Sequence, residues 1–374
     1  MRIIHFTLGS VNPNSSNGIN RVIEGLAKFG NTTKDNEILV VTLKKNQKEK
    51  ESLLKRNGFD VLAFNSLLAV IAYFKKYAGA IDIVHLHNVW SIQNIVLSRV
   101  LVNKSIPYIV TVHAGLMEDR VKGSNYFLKI LFHSLLQKRH FDNAMALHAI
   151  AREEMTNISE YTSNQNIIYI PNGIDTKLKQ LSKEQFHNKK INIGYLGRLS
   201  EEKNILGMIN AVASLNIETL NKMELIIMGP KNNNYARQCI SLVRSLNLDK
   251  HIIFTGIINS EEKWLRLSQL DIYIQASFSE GASLTVLEAM YSGLPLIITR
   301  TCNISYMHGQ DFLKMVEPLP KDIARGINEV VNDIEEFRKS GKKAHDFVCI
   351  NFDWELIASD LSNMYKEVID KEIL

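Results

Sequence analysis

Cysteine is scarce in this chain: Cys239, Cys302 and Cys349 are the only three in 374 residues. They lie far apart and none forms a Cys-x-x-Cys pair. Neither a disulfide framework nor a zinc site is indicated, so a reducing, cytoplasmic setting is expected. Long apolar runs are missing too. The longest, "SLLAVIAYF" at 66–74, is far short of the ~20 residues a membrane-spanning helix needs. The start, "MRIIHFTLGSVNPNSSNGINR", has a short apolar run and no convincing cleavage site, and reads as a first buried strand rather than a signal peptide. That strand is followed by neither GxGxxG nor GxxxxGK, which disfavours an NAD oxidoreductase and a P-loop enzyme. No low-complexity tract or repeat is visible.

What is present is a globular composition, 45% hydrophobic and 22% charged, on a chain too long for one core, so two domains are expected. A net charge of +5 permits an anionic partner (nucleotide, phospholipid or nucleic acid) without selecting one. Near-continuous Val/Ile/Leu runs at 2–6, 37–43, 60–64, 81–87, 107–113, 145–151 and 166–171 read as strands, with helical patterns at 18–29, 66–77, 92–103 and 124–141 between them. After the turn signal Asn172-Gly173, a polar, lysine-rich stretch to residue 190 reads as a linker. A second series follows at 191–197, 223–229, 251–256, 270–277, 294–300 and 312–317. The alternation argues for an α/β protein of two Rossmann-like domains with parallel sheets, 1–172 and 191–352, facing across a cleft. Ligands then bind beyond the carboxyl ends of the strands. The last stretch is an amphipathic helix with Trp354, Ile357, Leu361, Met364, Tyr365 and Val368 near helical spacing.

One strand end stands out. "ASFSEGASLTVLEAMYSGLPLIITR", residues 276–300, holds Glu280 and Glu288 eight positions apart. Gly281, Ala282, Ser283, Leu284 and Thr285 lie between them. Small residues before a helix let a ligand approach the backbone, and the free amides of 282–285 suit an anion. Ser283 is a good N-cap and Gly293 a helix stop. Glu288 shares a helical face with Leu284 and Thr285. A rise of about 6 Å over four residues matches the distance from a phosphate to the far hydroxyls of its ribose. The plain alternative is a solvated loop acid and a solvated helix acid. At a second strand end, "GYLGRLSEEKN", Arg198 follows the strand. Ser200 is placed to cap the next helix, which puts Lys203 in its first turn, where a cation is unfavourable unless an anion offsets it. Together they suit a diphosphate; the alternative is a surface Lys203 balanced by Glu201 or Glu202. Gly18 opens the first helix and His113 ends a strand. His85 and His87 share a face as a possible metal pair, but no third ligand presents itself.

These elements together resemble the retaining glycosyltransferases of the two-Rossmann-domain (GT-B) type, family 4. The resemblance rests on the E-x7-E element from Glu280 to Glu288 with "AMYSGLPLI", on "GRLSEEKN", "IPNGID" and "NGINRVIEGLAK", and on the terminal "FDWELIASDLSNMY". It implies a C-terminal helix, 353–374, that crosses back to an acceptor-binding first domain, and a nucleotide-sugar-binding second domain. By resemblance Glu288 holds ribose hydroxyls, Arg198 and Lys203 stabilise the departing diphosphate, and Glu280 contacts the sugar. The 282–285 amides meet the phosphate, His113 lies by the donor sugar and Gly18 by the phosphates. Asn17-Gly18 departs from the usual Gly-Gly pair. No metal is expected, and no cofactor beyond the nucleotide-diphosphate sugar co-substrate, UDP favoured over GDP. "HLHNVW" and "YIVTVHAGL" look most like members that build bacterial surface polysaccharides (O-antigen, capsule or exopolysaccharide). The acceptor is then a polyprenyl-diphosphate-linked saccharide, the setting the inner face of the inner membrane, and nucleic acid is no partner. Residues 121–141 read as a basic amphipathic helix suited to an anionic membrane surface. A sugar-nucleotide epimerase or hydrolase of the same architecture is the nearest rival, and a non-catalytic nucleotide-sugar binder the next.

Overall fold

Val, Ile and Leu runs become strands here because helical crossovers cover both faces of a parallel sheet. The computed structural model describes residues 1–9, 11, 18–33, 35–44, 48–56, 58–123, 125–178 and 190–373. They form two units, Met1–Gly173 with Trp354–Leu374, and Ile174–Asp353. Of the stretch read as a linker, residues 179–189 lie outside the described residues, as does Asn17.

The first unit contains strands β1 (Arg2–Leu8), β2 (Glu37–Leu43), β3 (Glu51–Arg56), β4 (Phe59–Phe64), β5 (Ile83–His87), β6 (Tyr108–Thr111), β7 (Ala146–Ala149) and β8 (Ile167–Tyr169). Their order in the sheet is β3-β4-β2-β1-β5-β6-β7-β8. Pairing is parallel apart from β3, which runs antiparallel to β4. The sequence reading missed β3 because "ESLLKR" is polar and largely exposed, a composition suited to an edge strand. Ile4, Phe6, Val84, Leu86 and Val110 bury one face of this sheet in an apolar cluster. His5, His85, His87, Thr111 and His148 are also buried, and strand alternation puts His85 and His87 on the opposite face. The C-terminal helix Trp354–Ile373 belongs to this unit, and its apolar positions Trp354, Ile357, Leu361, Met364, Tyr365 and Val368 are all buried. Trp354 sits so close to Gly25 and Gly173 that a Cβ at either would overlap its indole.

The expected helix at 124–141 is not continuous. Gly123 is extended and closes a short helix, Glu118–Lys122. Asn125, in the left-handed region with φ 64°, opens the next, Tyr126–Phe132. A π-helical turn, His133–Gln137, and a last α-turn, Lys138–Asp142, complete the segment.

The second unit has β9 (Ile191–Leu196), β10 (Met223–Met228), β11 (Ile252–Gly256), β12 (Ile272–Gln275), β13 (Leu296–Thr299) and β14 (Leu313–Val316). They pair in the order β11-β10-β9-β12-β13-β14, all in parallel. This is a doubly wound sheet whose strand order reverses between β9 and β12. The crevice beyond the carboxyl ends of those two strands is the ligand position of such folds. β9 runs into Arg198 and β12 into the loop that bears Glu280.

Candidate active site

The turn after β9 differs from its expected form. Glu201–Lys203 is a single 3-10 turn, Ser200 makes no side-chain cap, and Asn204 in the left-handed region separates it from the α-helix Ile205–Ala213. Lys203 therefore precedes the helix instead of occupying its first turn. Its ammonium is ion-paired with the Glu280 carboxylate, each side chain 13% exposed. The partner is thus the glutamate of the neighbouring strand's loop, not Glu201 or Glu202. Arg198 is exposed. The Tyr195 hydroxyl donates to its carbonyl at 2.8 Å, and its guanidinium has no ion pair among the described residues.

The loop after β12 is braced from β13: the hydroxyls of Thr299 and Thr301 both donate to Ser277 O, at 2.7 and 2.6 Å. Gln275, buried at the strand's carboxyl end, links the candidate residues. Its Nε2 donates to Glu280 Oε2 at 3.3 Å, and its Oε1 accepts from the Ser283 hydroxyl at 3.0 Å. Ser283 Oγ and Thr285 Oγ1 are 3.0 Å apart, and the Tyr273 hydroxyl donates to Thr285 at 2.9 Å. Ser283 occupies the N-cap position of the helix Leu284–Tyr291, but its side chain makes no cap bond. Its hydroxyl is turned to Gln275 instead. Gly281 is buried, and Ala282 to Thr285 are partly exposed at the helix start, where first-turn amides have no intrahelical acceptor. Gly293, at φ 69°, follows the helix as the stop expected of it.

Glu288 is not a solvated helix acid. It is 3% exposed on a helix whose residues 286–291 are all buried. Lys263, from the helix Ser260–Ser268, donates to its Oε1 at 2.6 Å. A buried ion pair of this kind contributes little net stability, so its presence beside the switch point points to function. Sequence reasoning found neither Lys263 nor Gln275. A polar residue closing the apolar run "LDIYIQ" was a usable signal for Gln275; nothing in "SEEKWLRL" marked Lys263.

Gly18 and His113 belong to the first unit. Gly18 is exposed at the start of the helix Gly18–Gly30. His113 is 6% exposed, and both it and Ala114 are left-handed, at φ 52° and 57°. Two successive non-glycine residues in that region are strained by about 1–2 kcal/mol each. The buried Glu154 carboxylate holds the turn, accepting from the amides of Ala114 and Ile150. Burial pushes its pKa up to about 7 against those two hydrogen bonds.

The fold also supplies the third histidine that the sequence did not show. His5 joins His85 and His87, with ring nitrogens within 4.8 Å of one another. The arrangement does not suit a metal, because of the six ring nitrogens only His5 Nε2 is uncommitted. His148 Nε2 faces Ile170 O, an acceptor only, at 2.8 Å, so it carries the proton. His148 Nδ1 then accepts from Thr111, which accepts from His85 Nε2, and His85 Nδ1 accepts from the Tyr365 hydroxyl at 2.7 Å. His85 has no lone pair to give. His5 Nδ1 and His87 Nε2 are spent on each other at 2.9 Å. Burial drives His5 and His113 down to about 3, His148 to about 4, and His85 and His87 well below the usual imidazole value, so all five are neutral.

A family model described as "Glycosyl transferases group 1" matches residues 177–347, and one described as "Glycosyltransferase Family 4" matches 16–178. An uncharacterized glycosyltransferase of Methanocaldococcus jannaschii is 25% identical over 203 residues, 53% of this chain and 49% of that protein. The O-antigen biosynthesis glycosyltransferase WclY of Escherichia coli is 28% identical over 234 residues, 60% of this chain and 62% of that protein. The match thus spans about half to two thirds of the length of these relatives. Anabaena HepE, solved in complex with UDP and glucose, superposes with a TM-score of 0.74 at 17% identity, covering 98% of this chain and 99% of that one. With two Rossmann-like units, an E-x7-E element at the switch point of the second, and family models that together match residues 16–347, the chain belongs to the GT-B glycosyltransferases of family 4.

Proposed function

We propose that the protein is a retaining, metal-independent enzyme. It moves a sugar from a nucleotide-diphosphate donor, UDP before GDP, to a lipid-linked saccharide in surface-polysaccharide synthesis. The observation that carries the reading is the joined set of Lys203, Glu280, Gln275, Ser283 and Thr285 at the β9–β12 switch point, with Arg198 exposed beside it. Breaking the anomeric C–O bond puts negative charge on the diphosphate and positive charge on the sugar ring. Arg198, Lys203 and the amides at the start of helix 284–291 then act as preorganised stabilisation of the leaving group. Lys203 carries three donors, so it can keep Glu280 while meeting a phosphate oxygen. Glu280 is positioned for sugar hydroxyls and Glu288, aimed by Lys263, for the ribose. Gly281 and Ala282 allow the phosphate close to the backbone, with Leu284 on the ribose-facing turn. Gly18 is proposed to meet a phosphate and His113 a sugar hydroxyl. No side chain is assigned as a covalent nucleophile: the acceptor hydroxyl attacks from the face the diphosphate leaves, and a diphosphate oxygen takes its proton.

The UDP-bound Anabaena protein supports the donor preference, and the O-antigen relative supports the acceptor class. No helix among the described residues is long and apolar enough to cross a membrane. Phe127, Leu128, Leu131 and Leu135 are nevertheless 85, 65, 55 and 67% exposed beside Lys122, Lys129, Lys138 and Arg139, which suits peripheral contact with an anionic bilayer. The test is a panel of UDP- and GDP-sugars scored by thermal stabilisation, since a bound ligand raises the melting point. The stabilising donor is then offered a polyprenyl-diphosphate saccharide. Acceptor-dependent release of nucleoside diphosphate and a product of unchanged anomeric configuration are expected. Release without acceptor would make the protein a hydrolase, and an inverted product would refute the same-face mechanism.

A further inference from the structure

His113 ends a second chain of imidazoles, separate from the one that closes on Ile170. His113 Nε2 lies 3.0 Å from His87 Nδ1, and His87 Nε2 lies 2.9 Å from His5 Nδ1. Beyond that, His5 Nε2 is buried and without a hydrogen-bond partner. At the other end, His113 Nδ1 has no hydrogen bond to a described residue and is not among the sealed, unpartnered atoms. One end of the chain is therefore closed and the other is open to a ligand.

A neutral imidazole carries one proton, so two bonds through three rings allow only two orders. In the inward order His113 donates to His87 and His87 to His5. That leaves an N–H on His5 Nε2 buried with no acceptor, and orphaned buried N–H groups are the rarer and costlier kind. In the outward order His5 Nδ1–H donates to His87 Nε2, and His87 Nδ1–H donates to His113 Nε2. The closed end then holds only a lone pair, and the proton of His113 is forced onto Nδ1. The backbone of His113 is fixed independently, by the left-handed pair at 113 and 114 and the Glu154 carboxylate that accepts the Ala114 amide.

From this geometry we infer that His87, with His5 closing the chain behind it, is a positioning residue that holds His113 as a hydrogen-bond donor at Nδ1, aimed at a hydroxyl oxygen of a saccharide substrate. The inference rests on the glycosyltransferase reading above and adds the polarity of the contact and the residues that set it. The saccharide is the donor's sugar or the acceptor, and kinetics separate the two.

The experiment uses the full chain and the nucleotide sugar it turns over, with three variants. His113→Ala tests the broader reading: unchanged transfer would remove His113 from the substrate site and leave the imidazole chain with nothing to position. His87→Phe keeps the ring and removes both nitrogens. Its kcat/KM should fall at least tenfold while the nucleoside diphosphate, which lacks the transferred sugar, binds within twofold of wild type. A raised donor KM assigns the hydroxyl to the donor, a raised acceptor KM to the acceptor. His5→Phe removes the bond to His87 Nε2 and makes that nitrogen the closed end, where the same rule leaves a lone pair. His87 therefore still donates to His113, and transfer should stay within twofold of wild type even where the melting point falls. Long-range 1H–15N spectra should show His113 protonated at Nδ1 in the wild type and in His5→Phe, and as a tautomer mixture in His87→Phe. Wild-type kinetics in His87→Phe, an Nε2–H tautomer in the wild type or in His5→Phe, or nucleoside diphosphate affinity lost in step with kcat would overturn the inference; if His87→Phe does not fold, the two tautomer spectra decide.

Discussion

At the scale of residues, two ion pairs divide the work of the second unit. Lys203–Glu280 lies beside the switch point with both side chains 13% exposed, whereas in Lys263–Glu288 the lysine is 14% and the acid 3% exposed. Removing one partner of a buried pair leaves an uncompensated charge and costs about 3–5 kcal/mol. Lys263→Ala should therefore lower the melting temperature and also raise donor KM, because Glu288 loses its aim. Calorimetry showing no loss of stability would mean the pair is not sealed in solution. Glu280→Gln keeps the shape of the side chain and its bond to Gln275 but takes the counter-charge from Lys203, so some stability should be lost while transfer falls at least tenfold. Lys203→Ala should reduce kcat more than it raises acceptor KM, the mark of an interaction that strengthens in the transition state. A pure acceptor KM effect would move Lys203 into acceptor binding. If Arg198, Lys203 and the helix start act on the leaving group as proposed, EDTA should leave activity intact. Loss in EDTA that magnesium or manganese restores would contradict the metal-free mechanism.

At the scale of elements, the interrupted segment 118–142 is the most exposed apolar feature among the described residues of the first unit. A single amphipathic helix would have put its stripe on one side. The break at Gly123 and the π-turn at His133–Gln137 redistribute it, yet Phe127, Leu131 and Leu135 stay outward. Its charges are partly engaged already: Lys122 pairs with Glu118 and Lys138 with Asp142. Such exposed i,i+4 pairs contribute little, so an anionic lipid surface can compete for the lysines. Cosedimentation with anionic vesicles should fall with salt, and with Lys138→Glu plus Arg139→Glu. Leu131→Asp plus Leu135→Asp should abolish it. Equal pelleting with neutral vesicles, or none at low salt, would rule out the electrostatic reading.

At the scale of the molecule, the buried histidines give stability a definite pH dependence. His5, His113 and His140 are held down to about 3 and His148 to about 4, with His85 and His87 also well below their usual value, in each case chiefly by burial. A histidine with a depressed folded pKa is protonated first in the unfolded chain. Below pH ~6.5 the unfolded state therefore binds more protons, and stability falls as pH falls, by about 1.4 kcal/mol per pH unit for each group. Glu154, raised to about 7, acts in the opposite sense: its contribution is present below the unfolded carboxyl pKa and is lost as pH rises toward 7. Six groups outweigh one, and total stabilities are only ~5–15 kcal/mol. The melting temperature should drop steeply between pH 6.5 and 5; a flat profile there would mean that these rings are hydrated in solution.

The sequence alone determined the two α/β series, because strands covered on both faces must be near-continuously apolar and helical crossovers must be amphipathic. It also marked Arg198, Lys203, Glu280 and the 281–285 turn, because they follow strands whose carboxyl ends are read directly from the pattern. It did not give β3, whose polar edge lacks that pattern, nor the breaks at Gly123 and Asn125, where a glycine and a left-handed asparagine override a plausible helical spacing. Only the tertiary structure decided who partners whom. Lys203 meets Glu280 across 77 positions, Lys263 meets Glu288 across 25, and His5 reaches His87 across 82. Such pairings depend on which strands lie side by side at the reversal of sheet order, a property of the assembled sheet that no local window contains.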